Sequence, residues 1–102
     1  MRQGSTPTIY IKIPIEIPIS SVEAAVFSIA QFGVELITKT EADMTVDEEK
    51  NLFAAELTQE DTLQLRHDTI AEMQLKVKVE GKVIPTDTVK IPVTKILNRE
   101  VI

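Results

Sequence analysis

The chain has 102 residues, 43% of them apolar and 26% charged, with a net charge of −5 and no cysteine. That length and balance fit one globular domain, residues 1–102, able to bury a single core. They exclude disulfides, zinc–thiolate centres and cysteine nucleophiles, and an acidic chain is a poor partner for nucleic-acid phosphates or anionic lipid.

The opening, MRQGSTPT, has no apolar h-region, so no signal peptide is expected. No apolar run approaches the roughly 18 residues that a membrane helix needs. Synthesis in the cytoplasm is the expectation. Residues 6–21, TPTIYIKIPIEIPISS, place isoleucine at 9, 11, 13, 15, 17 and 19. Spacing by two puts all of them on one face of a strand, with Tyr10, Lys12, Pro14, Glu16 and Pro18 on the other. Proline has no backbone N–H and within sheets is confined to edges and bulges. The expectation is an edge strand over 8–19 that changes partners at Pro14 or Pro18 and serves both sheets of a sandwich. Prolines also blunt an edge that bare isoleucines would leave open to aggregation.

Residues 20–33, SSVEAAVFSIAQFG, read two ways. As a helix they offer Ser20 as N-cap, Glu23 as capping-box partner, an apolar face of Val22, Val26 and Ile29, and Gly33 as terminator. As a strand, Ala25, Phe27 and Ile29 alternate with Val26, Ser28 and Ala30, and AQFG turns into VELITKT. Local pattern alone favours helix, and the number of strands around the segment favours strand. VELITKT (34–40), Met44–Val46 and NLFAAEL (51–57) are short strand candidates. In LTQEDTLQL (57–65), Thr58 can cap a helical turn with Asp61 returning the bond, so one turn is expected at about 59–63. IAEMQLKVKV (70–79) is the clearest strand, with Ala71, Met73, Leu75, Val77 and Val79 inward. EGK (80–82) turns at Gly81. Residues 87–96 alternate again through Val89, Ile91 and Val93, and Pro92 on the outer face marks a second edge.

Few residue groups suggest chemistry. His67, the single histidine, stands beside Asp68. Neighbours on a strand point to opposite faces, so the two are not expected to meet as a dyad, and the segment reads as a solvated loop. Glu41, Asp43, Asp47, Glu48 and Glu49 make an acidic turn without the spacing or central glycine of a calcium-binding EF-hand loop. Glycines at 4, 33 and 81 form no phosphate-cradling loop, and no Gly-x-Ser-x-Gly occurs. No cofactor, metal or small-molecule substrate is indicated. Lys76, Lys78, Lys82 and Lys90 read as a basic stripe on the outer faces of the last hairpin. With one Tyr and three Phe there is no stacking platform for single-stranded nucleic acid. Tyr10 and the first strand are the best partner-binding candidates, through strand addition at an edge. The candidate partner surface is Tyr10, Lys12, Pro14, Lys76, Lys78 and Lys90.

Five stretches, RQGSTPTIYIKIP, AQFGVELITKT, ELTQEDTLQL, IAEMQLKVKVEGKV and TDTVKIPVTKIL, carry a resemblance over nearly the whole chain. It is to a family of short uncharacterised proteins of phages and prophages of Gram-positive, Clostridia-like Firmicutes. The family pattern opens Arg-x-Gly-Thr-x-Pro-Thr, continues through an alternating strand and a strand–turn–strand, and reaches Leu-Thr-Gln-Glu-Asp-Thr. This chain departs from it in VFSIAQFG, in the acidic 41–50 segment and in its isoleucine-rich first strand. The resemblance implies strand over 22–31, paired antiparallel with 34–40. It also implies a tail, baseplate or fibre role, with the virion as a second location, and it assigns no functional residue. LTQEDTLQL also looks like the turn before strand F of immunoglobulin variable domains, without the flanking Cys and Tyr.

The resulting expectation is an all-β, immunoglobulin-like sandwich of about seven antiparallel strands with one short helical turn. Its expected role is a non-enzymatic phage structural or assembly module, acting through other phage structural proteins or self-association. A small adaptor or inhibitor of a host protein is the alternative, and a metal-dependent hydrolase is a distant third.

Overall fold

The computed structural model describes residues 1–14, 16–86 and 88–94. The strands are β1 (Thr8–Lys12), β2 (Ala24–Gln31), β3 (Val34–Thr40), β4 (Met44–Asp47), β5 (Leu52–Glu56), β6 (Thr69–Val79), β7 (Lys82–Pro85) and β8 (Val89–Val93), with the helical turn α1 (Gln59–Leu63) between β5 and β6. They pair antiparallel into two sheets. One runs β1-β5-β4; the other runs β3-β2-β6, with β7 and β8 following one another along the far side of β6. β7 and β8 are thus two halves of one lane. In immunoglobulin lettering the sheets hold strands B, E, D and G, F, C, C′, so the protein is an all-β sandwich of that arrangement.

The two sheets meet through alternating side chains. Ala25, Phe27 and Ile29 of β2 and Ala71, Leu75 and Val77 of β6 are buried against Phe53 and Ala55 of β5, with Ile9 and Ile11 of β1 packed at the margin. Burial of a side chain the size of Leu75 or Phe27 contributes about 2–3 kcal/mol. This packing decides the ambiguous 20–33 segment. As a strand it gives β6 a neighbour from Ala24↔Lys78 to Ala30↔Glu72, whereas a helix would leave that flank of β6 unpaired. The expected helix start survives only as a 3-10 turn at Ile19–Ser21, and the Glu23 N–H joins the ladder at the Lys78 carbonyl, 2.7 Å away.

The turns follow their residues. Phe32 and Gly33, with φ of +53° and +76°, connect β2 to β3, and Glu80 and Gly81, at +51° and +77°, connect β6 to β7. Both are two-residue hairpins whose left-handed residues match strand twist. α1 carries the capping box expected from LTQEDT: the Asp61 N–H donates to Thr58 Oγ1 at 3.1 Å and the Thr58 N–H to Asp61 Oδ2 at 2.9 Å.

The first strand departs from expectation. β1 stops at Lys12 instead of running to 19, and no change of partner occurs at Pro14 or Pro18. The Ile13 N–H makes the last rung, to the Asn51 carbonyl at 3.1 Å, and the Ile17 N–H turns back to the Pro14 carbonyl at 2.9 Å. Ile9, Ile11 and Ile13 share the inward face, while Ile17 and Ile19 reach the core from a loop; Ile15 lies outside the described residues. The loop closes around Asn51. Its Nδ2 donates to the carbonyls of Ile13, Pro14 and Ile17 at 3.3, 3.1 and 3.0 Å, and its Oδ1 accepts from the Ile19 N–H at 2.9 Å.

The change of partners lies upstream. Arg2 bridges Thr94 in parallel beside the β8 lane, with the Gln3 N–H on the Thr94 carbonyl at 3.0 Å and the Thr94 N–H on the Met1 carbonyl at 2.7 Å. Residues 4–7 cross over, and the Leu57 N–H meets the Pro7 carbonyl at 3.0 Å as the chain enters the other sheet. Buried Gln3 and Thr62 fix this crossing: Gln3 Nε2 donates to the Leu65 carbonyl at 2.6 Å and Thr62 Oγ1 to the Ser5 carbonyl at 2.8 Å. The expected last strand appears as β8; Asp87, Lys95 and Ile96 at its ends lie outside the described residues.

Candidate functional site

The sandwich is open on one side. Between the β1 edge and the β7–β8 edge lies a groove of about 700 Å³. Leu75, Met73 and Phe27 form its floor, Ile9, Ile11 and Ile13 one wall, and Ile84 and Val89 the other; Lys12 is the one charged side chain among its described lining residues. Ile84 and Val89 lie opposite Val77 and Met73 on the inward face, yet Val89 is 55% exposed. No strand of the described chain covers this stretch of the inner face.

Both walls carry free backbone groups. Hydrogen-bonded pairs alternate along an antiparallel ladder. The rungs at Ile13–Asn51 and Pro7–Leu57, with the register Thr8↔Glu56 to Lys12↔Leu52, turn the polar groups of Ile9 and Ile11 toward β5. Those of Thr8, Tyr10 and Lys12 face the open side. Pro14 is next in that outward series and has no N–H to offer. On the other wall the Thr86 N–H meets the Leu75 carbonyl at 2.7 Å, which turns Val83 and Pro85 outward. The Met1 amino group on the Pro92 carbonyl, at 2.6 Å, places Pro92 outward too. Pro14, Pro85 and Pro92 therefore occupy positions whose donors would have pointed away from the neighbouring strand, whereas Pro7 meets Leu57 through its carbonyl alone.

The six candidate partner residues divide between two surfaces. Tyr10, 69% exposed, lines the β1 wall with Lys12 and Pro14. Lys76, Lys78 and Lys90 lie on the outer face of the other sheet, opposite Pro85, Val83 and Glu72. Lys82 pairs with Val79 and so takes the inward side at the hairpin end, contrary to the expected stripe. Acidic neighbours interrupt that stripe further. Glu72 faces Lys90, and Lys76 helps hold Glu35 below its ordinary pKa, after the Thr38 and Ser28 hydroxyls that donate to it.

The acidic turn is used structurally. Glu41 Oε2 accepts the Ala25 N–H at 3.0 Å, which lowers its pKa. Asp43 caps Thr40, and Asp47 accepts the Lys50 N–H at 3.1 Å. Among the described residues no three His, Asp or Glu groups converge as metal ligands. His67 and Asp68 do meet, contrary to expectation, with Nδ1 2.7 Å from Oδ2. Asp68 has φ of +59°, so the two do not alternate as strand neighbours, and both side chains are solvated.

Sequence reading missed Asn51 and the groove. Asn51 carries a local signal, since asparagine tolerates the left-handed region that it occupies at φ +55°. The groove has none, because the lack of a covering strand is a property of the assembled sheets. Comparison with protein-family models, with curated proteins and with solved structures found no match.

Proposed function

We propose that the protein is a non-enzymatic contact module, a structural or assembly component of a phage or prophage in keeping with the resemblance of its sequence, working through the β1 side of the sandwich. The observation that carries this reading is the pairing of an unoccupied edge, with Thr8, Tyr10 and Lys12 facing outward, with an apolar groove directly behind it. Recognition by strand addition uses those two elements: main-chain groups supply affinity and pockets for alternate side chains supply specificity. The test is a mass-spectrometric search of purified particles and assembly intermediates from a strain carrying the gene. The chain is expected to co-purify with tail or baseplate proteins and to be lost from them when Tyr10→Pro removes the central outward donor. Its absence from particles and intermediates alike overturns the reading.

A further inference from the structure

We infer that the partner of the β1 edge is a second copy of this chain, paired antiparallel about a two-fold axis at Tyr10. The inference rests on the contact-module reading and names the partner. The outward series Thr8, Tyr10, Lys12 is symmetric about its centre. A two-fold there sets Tyr10 against Tyr10 of the other copy and Thr8 against Lys12. Each facing pair exchanges both backbone bonds, about six in all. Pro14 falls just past the last pair and ends the ladder without stranding a buried donor. On the groove side, Ile9 meets Ile11 of the other copy in the closer, non-hydrogen-bonded positions, and the two three-stranded sheets become one.

Charge selects a second copy over an arbitrary strand. Residues directly opposite share a face, and Thr8 lies opposite Glu56. Lys12 of the other copy, beside Thr8, is then two lanes from Glu56, about 10 Å between backbones. Only the short threonine stands between them, so the long side chains can meet. Among the described residues neither Lys12 nor Glu56 has an ion-pair partner. Within its own copy Lys12 lies equally far from Asp47 across Leu52, but Asp47 is turned to the Lys50 N–H. The two-fold creates this Lys12–Glu56 contact twice. Joining the copies through β1 also places their β4 strands, with the acidic residues that flank them, at the two outer edges of the combined sheet, which matters for a chain of net charge −5.

Sedimentation equilibrium of the purified chain at low salt tests the inference, with Lys12→Glu, Glu56→Lys, the double exchange and Tyr10→Pro, each checked for fold by circular dichroism. The wild type is expected to show a concentration-dependent monomer–dimer equilibrium. Each single reversal weakens it about tenfold, since two pairs turn repulsive, and the double exchange restores it to within about threefold. Tyr10→Pro is expected to be monomeric and folded. A wild type that stays monomeric into the millimolar range overturns self-pairing, as does a dimer that survives Tyr10→Pro, or single reversals that the double exchange does not rescue. If the wild type is monomeric yet enters particles in a Tyr10-dependent way, self-pairing is wrong, the contact-module reading stands, and the strand comes from another protein.

Discussion

Asn51 holds four backbone groups with one side chain. Its amide N–H groups are shared among three carbonyls and its oxygen holds the fourth group, which ties down Ile13, Pro14, Ile17 and Ile19. Loss of these bonds in Asn51→Ala is expected to cost about 2–4 kcal/mol in urea denaturation. Asn51→Gly should cost about 1 kcal/mol less than Ala, because glycine accepts φ of +55° without strain. Phe32 presents the opposite situation. It sits at φ +53°, 72% exposed, with the Arg66 guanidinium 5.7 Å from its ring centre as visible compensation. Asparagine followed by glycine is the favoured pair for such a turn. Phe32→Asn is therefore expected to stabilise the protein by about 0.5–1 kcal/mol, read as a rise in melting temperature.

At the scale of elements, α1 shows how a short motif becomes an anchor. Five residues cannot hold a helix alone; the turn persists through its capping box and through Lys39 Nζ, 2.9 Å from Asp61 Oδ2 on the edge strand β3. Partial burial pushes the Asp61 pKa up, but the Thr58 N–H and Lys39 outweigh it and hold it below its ordinary value. A depressed carboxylate contributes stability that is complete above its unfolded pKa and lost as pH falls through the lower folded value. Stability is therefore expected to decline below about pH 4, and Asp61→Asn to flatten that decline while weakening the protein at neutral pH. Thr58→Ala should cost about 1 kcal/mol, measured in the same titration. The β1 ladder makes a sharper contrast. Ile11→Pro removes an inward donor and is expected to cost about 3 kcal/mol or more, whereas Tyr10→Pro removes an outward one and should leave stability nearly unchanged in the monomer.

For the whole molecule, legibility in the sequence followed the range of the interaction. The capping box of LTQEDT, the alternation of β6 and the Gly33 and Gly81 turns are written within a few residues, and each stands where pattern placed it. The pairing of β2 with β3, from Val26↔Thr40 to Gln31↔Val34, was not legible in the 20–33 segment alone, whose pattern also fits a capped helix; the strands around it and the family resemblance carried that assignment. The end of β1 was not legible either, since period-2 isoleucine looks the same in a strand as in a loop wrapped on a distant asparagine. Half of the candidate surface, Tyr10, Lys12 and Pro14, came together at the groove, while the lysines went to the other sheet. The parallel contact between Met1–Gln3 and the end of the β8 lane has a mechanical consequence. Tension applied through the two ends of the chain would pull these parallel neighbours past one another, loading their hydrogen bonds together in shear rather than one at a time. The rungs that join Met1 and Gln3 to Thr94, at 2.7 and 3.0 Å, would then act as a clamp against stretching. In single-molecule pulling, Thr94→Pro, which deletes one of those rungs, is expected to lower the unfolding force far more than it lowers equilibrium stability.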